Sequence, residues 1–132
     1  MSRTGYIKTV LLCAATAFAA SPALAVDVGA EITTAAMHAN LAARSGNIAG
    51  VHMHLHHTVN CLVGPGGAGF DAKELNPCAN SGNGAIPDAA SPAQKAKLQS
   101  VLATANSGLA ATDLATAKKD AGDTAAALKG LR

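Results

Sequence analysis

Proline divides this chain. Pro22 lies near the amino terminus, and the other four, Pro65, Pro77, Pro87 and Pro92, fall in one central stretch. A proline inside a helix removes a backbone donor and collides with the preceding turn. The two alanine-rich blocks on either side of that stretch are therefore the places where long helices can form.

The first block, "VGAEITTAAMHANLAARSGNIAGVHMHLHHTVNCLVG", is interrupted only at Arg44 to Asn47. Gly46 suits a left-handed helix end, and the side chain of Asn47 can cap a new helix. This predicts one helix over about 30–45 and another over 48–63, stopped by Gly64-Pro65. On the second of these, Ile48, Val51, Leu55, Val59 and Leu62 recur at the spacing of a single face. The first offers two faces, one with Ile32, Ala35, Ala36, Ala39 and Ala43, the other with Met37, His38 and Leu41, and the pattern does not choose between them.

In the second block Ser91 is an N-cap, Pro92 takes the first helical position and Gln94 completes a capping box. Leu98, Val101, Leu102 and Ala105 share a face, and "NSG" at Asn106 to Gly108 is expected to end that helix. A fourth helix, from about 109 or 113 to 130, carries the stripe Leu114, Ala117, Ala121, Ala125, Leu128. Four one-sided stripes in two similar hairpins predict an all-α fold, a four-helix bundle whose halves are joined by the Gly-, Pro- and Asn-rich loop 64–91.

Residues 1–25 read as a secretory signal. Arg3 and Lys8 precede an apolar run from Val10 to Ala20, and Ala23-Leu24-Ala25 is a small-residue cleavage site. The expectation is a single domain over 26–132, periplasmic or secreted, with no membrane attachment after cleavage. Without Arg3 and Lys8 the ten basic residues fall level with the eight acidic ones, and Phe70 is the only aromatic residue left. A neutral chain without aromatic platforms argues against nucleic-acid binding.

A core built mainly from alanine buries little area per residue, so a disulfide, a bound ion or a second copy (a homodimer) is expected to compensate. Cys13 leaves with the signal, and Cys61 and Cys78 remain as an even pair in an exported protein. Their bridge would close a loop of about 18 residues and contribute roughly 3 kcal/mol.

All five histidines, His38, His52, His54, His56 and His57, lie in the first hairpin. Neutral imidazole binds copper, nickel and zinc, and two at i and i+4 on a helix can chelate one ion. His52 and His56 have that spacing, and counting back across the Gly46 turn brings His38 to the level of His54. His38, His52 and His56 are thus the first expected metal ligands, with His54 and His57 second. The spacing excludes covalent haem, since no Cys-x-x-Cys-His occurs. A b-type haem using Met37 or Met53 would need large apolar walls that the alanines do not offer.

The stretch "HANLAARSGNIAGVHMHLHH", behind an export signal, resembles the small periplasmic histidine-rich metal-binding proteins. The resemblance implies a four-helix bundle that binds divalent ions, copper among them, without catalysis. The second half here has no histidine, which favours one or two sites over many. Catalysis is not expected: Asp71, Glu74, Asp88, Asp113, Asp120 and Asp123 pair with no histidine in sequence, and Glu74 could act as a base only if the loop folded over the second helix. The other reading is a binding or scaffolding module that presents the loop as its contact surface.

Overall fold

The computed structural model describes Met1 and residues 26–132; the rest of the segment read as an export signal lies outside the described residues. Four helices follow in order: α1 (Val28–Arg44), α2 (Ile48–Val63), α3 (Pro92–Ala110) and α4 (Leu114–Lys129). Among the described residues there is no strand, and no helix is long and apolar enough to cross a membrane.

Each helix begins on a side-chain oxygen that takes up an amide of the first turn. Asp27 Oδ1 accepts from the Ala30 amide at 2.9 Å, Asn47 Oδ1 from Gly50 at 2.8 Å, Ser91 Oγ from Gln94 at 3.1 Å and Asp113 Oδ1 from Thr116 at 2.9 Å. Gln94 reaches back, as a capping box requires, but one residue further than expected, to the Ala90 amide at 2.7 Å.

α1 packs beside α2 and α4, α3 beside α4 and α2, and α1 and α3 take opposite corners. Ile32, Val51, Leu55, Val59, Leu62, Leu98 and Leu128 fill the centre, with Ala35, Ala39, Ala105, Ala117 and Ala121 fully buried between them. On α1 the alanine face is therefore the inner one, and Met37 and Leu41 remain exposed.

Three local expectations are corrected. Gly46 does not adopt a positive φ; Ser45 ends α1 in an extended conformation, and its hydroxyl donates to the Leu41 carbonyl at 3.0 Å. The "NSG" of α3 does not end it. Gly108 is buried inside the helix, where a Cβ would come within 2.8 Å of Leu55 Cδ1 and 3.2 Å of Asp120 Cβ. It is a contact point, not a stop, and the turn comes instead at 111–113. Leu102 and Leu114, each on a stripe expected to face inward, are only half-buried. Leu102 lines a cleft beneath the loop, and Leu114 is the first residue of its helix.

The loop contains only turns, yet it is anchored along its length. Cys61 and Cys78 are bridged, with their α-carbons 5.2 Å apart. Asn60, with no exposure, is a second anchor: its Nδ2 donates to the carbonyls of Asp71 (2.9 Å) and Leu75 (3.1 Å), and its Oδ1 accepts from the Asp71 amide (2.9 Å). At the far end the amides of Ala85 and Ile86 donate to the carbonyls of Cys61 and Leu62, at 3.0 and 2.9 Å. These are carbonyls of the last turn, which lack partners within a helix. The approach depends on Gly64 and Gly84, both at positive φ, whose α-carbons face each other's backbone so closely that a Cβ on either would collide with it. Glu31, also without exposure, ties α1 to the same return segment through Oε1, which accepts from the Gly84 amide at 2.8 Å.

Candidate metal centre

The rotation of α2 about its axis decides which histidines meet α1. Thr58 lies where α2 meets α1. Its hydroxyl lies between the carbonyls of Ala35 on α1 (3.3 Å) and His54 on its own helix (3.0 Å). His54 and His57, one turn apart, therefore look across the hairpin, and His38 looks back from α1.

The three rings converge through their Nδ1 atoms. His38 Nδ1 lies 3.4 Å from His54 Nδ1 and 3.3 Å from His57 Nδ1, and the ring centroids of the trio are 5.0–5.6 Å apart. His38 and His57 are buried and His54 is half-buried. Each offers a ligand atom within 4.8 Å of the others.

The expected first trio is not the one that forms. His38 takes part, but His52 and His56 sit on the side of α2 turned away from α1. His52 Nε2 is 3.1 Å from the carbonyl of Ala111 in the α3–α4 turn. His56 Nδ1 is 3.8 Å from Asp71 Oδ2 in the loop and is buried without a hydrogen-bond partner. The expected level of His38, opposite His54, is where the structure puts it; the face of α2 is different. Met37 and Met53, each one position before an inward histidine, are turned outward and exposed.

The loop does fold over α2. It brings Glu74 Oε2 to 3.5 Å from His57 Nε2, on the side of that ring away from the trio. Burial lowers the pKa of His38, and the neighbouring His57 and His54 lower it further. Burial also lowers that of His57, partly opposed by the Glu74 carboxylate. Both rings are thereby held in the neutral form that binds metals.

Three clustered Nδ1 atoms present a donor problem that protons alone solve badly. A neutral imidazole has one N–H and one in-plane lone pair. If His38 Nδ1 carries the proton, it can point at only one neighbour; if it carries the lone pair, two donors must share it. A cation between the rings satisfies all three lone pairs at once. The two Nδ1 separations fit a tetrahedral ion, whose bonds of roughly 2.0–2.1 Å place neighbouring nitrogens about 3.3–3.4 Å apart. A square-planar ion of the same bond length would bring cis nitrogens to about 2.9 Å.

Compared with protein-family models, curated proteins and solved structures, the chain matches none.

Proposed function

We propose that this chain is an exported protein that holds one divalent transition-metal ion on Nδ1 of His38, His54 and His57, for storage, buffering or delivery and not for catalysis. The observation that carries the reading is the pair of Nδ1 separations, 3.3 and 3.4 Å, at rings whose burial favours the neutral form. Copper, nickel and zinc are each bound by neutral imidazole, so the site admits any of the three. Export is supported by the signal-like first 25 residues and by the Cys61–Cys78 bridge, which fits an oxidising compartment. The reading agrees with the resemblance to small histidine-rich metal-binding proteins.

The test is titration calorimetry of the 26–132 chain with Zn2+, Cu2+ and Ni2+. The double variant His38→Ala with His57→Ala should lose the tightest site, while His52→Ala with His56→Ala should keep it. If the first variant binds as wild type does, or if the second loses the site, the trio is not the centre.

A second reading, a module that binds another molecule through its loop, is favoured by a cleft of about 690 Å3 lined by Val63, Pro65, Ile86, Pro87, Lys95 and Leu102. Thermal melts with and without the three ions separate the two, because only an ion held by the folded state raises the melting temperature.

A further inference from the structure

We infer that Glu74 is the positioning residue of the metal centre: its carboxylate accepts the Nε2 proton of His57 and so leaves the Nδ1 lone pair directed at the ion. The inference rests on the proposed metal site and adds to it a residue from outside the hairpin.

Its ground is the order of atoms across one ring. His57 Nδ1 faces His38 Nδ1 at 3.3 Å, and on the opposite side His57 Nε2 faces Glu74 Oε2 at 3.5 Å. A neutral imidazole carries a single proton, and a carboxylate can only accept, so proton and acceptor pair at Nε2 and the lone pair is left at Nδ1. Metal-bound imidazoles are commonly oriented by such a partner on their other nitrogen.

The second ground is that Glu74 is held in place. Asn60, one helical turn beyond His57, donates to the Glu74 carbonyl at 3.4 Å as well as to those of Asp71 and Leu75. The Glu74 amide in turn donates to the Asp71 carbonyl at 3.2 Å. The acid therefore approaches His57 from a segment fastened to the same helix that carries the ring. Its neighbour pair, His56 and Asp71, lies 3.8 Å apart with His56 outside the trio, and supplies a built-in control.

The experiment uses the 26–132 chain as wild type, Glu74→Ala, Glu74→Gln and Asp71→Asn, with folding checked by circular dichroism. Zn2+ affinity is measured for each, and long-range nitrogen–proton spectra report the tautomer of His57 without metal. We expect wild type to carry the proton on Nε2, and Glu74→Ala to weaken Zn2+ binding about tenfold to a hundredfold. Glu74→Gln should restore most of the affinity, since its amide oxygen still accepts, and Asp71→Asn should change little. Equal affinity in wild type and Glu74→Ala, or a proton on Nδ1 in wild type, overturns the inference. If wild type binds none of the three ions, the metal reading fails, while the tautomer of His57 in wild type and Glu74→Ala still decides the role of Glu74.

Discussion

A carboxyl group without exposure has to settle its charge with a few neighbours, and Glu31 has little help. Oε1 accepts from Gly84, but Oε2 has no hydrogen-bond partner. Burial raises its pKa to about 7, against the lowering by the Gly84 amide and with repulsion from Asp88 and Asp27 added. The ordinary value is 4.5, so between 4.5 and 7 the folded chain binds more protons than the unfolded one. The contribution of Glu31 to stability is then highest below that window and falls as pH rises through it, by on the order of 3 kcal/mol in full. Glu31→Gln keeps an acceptor for Gly84 and removes the charge. It should stabilise the protein by about 2–3 kcal/mol at pH 8 and change little at pH 4, read by urea unfolding at both pH values; an equal effect at both would refute the account. His38 and His57 act in the opposite sense. Their pKa values are lowered in the fold, so protonation favours the unfolded chain and their contribution is lost as pH falls below about 6.5. For the same reason metal affinity should begin to fall at a lower pH than for an exposed histidine pair. At Asn60 the matter is satisfaction and not charge. Asn60→Ala leaves the Asp71 amide and several loop carbonyls without their partner and should cost about 3 kcal/mol, with faster amide exchange at Asp71. Neither residue was legible in the sequence as a key position. The environment of each is made by the returning loop, whose path no periodicity encodes.

At the scale of the helix, the hairpin count and the inner stripe of α2 were legible, and the flank of that stripe that meets α1 was not. The Asn47 and Ser91 caps and the breaks near Gly46 and Gly64-Pro65 mark helices in sequence, and the symmetry about Gly46 brings His38 level with His54. On the flank that meets α1, Thr58 donates to the Ala35 carbonyl, a contact that a polar residue on a helix does not announce. The same limit explains Gly108. A glycine after Asn-Ser reads as a helix end, but here its missing side chain admits Leu55. Two glycine substitutions separate these meanings. At Gly122 of α4 a Cβ would meet only Ala43 Cβ at 4.0 Å, so Gly122→Ala should stabilise the bundle by up to about 1 kcal/mol through helix propensity. Gly108→Ala gains the same propensity but crowds a buried leucine at 2.8 Å, and should destabilise by about 1 kcal/mol net. Melting temperatures of the two variants should move in opposite directions; a rise for both would mean that Leu55 can yield.

Over the whole molecule, the thin alanine core is supplemented by the loop. Reduction of the Cys61–Cys78 bridge should lower stability by roughly 3 kcal/mol and loosen the segment that carries Glu74, so reduced protein should bind Zn2+ more weakly than oxidised protein, measured by the same titration. The contact of Gly64 with Gly84 has a further consequence for where this chain can be edited. Length in a loop is usually taken as licence to cut, insert or graft, but this long connection is the part least open to it. Its return segment supplies the last carbonyls of α2 with their donors through an approach that only two glycines permit. The exposed turn at Gly46, with open space around its α-carbon, is the tolerant seam. A short Gly-Ser insertion after Gly46 should leave the unfolding midpoint nearly unchanged, and the same insertion between Asn83 and Gly84 should abolish cooperative unfolding. A three-residue turn is thus the place to lengthen, and the longest connection must keep its length.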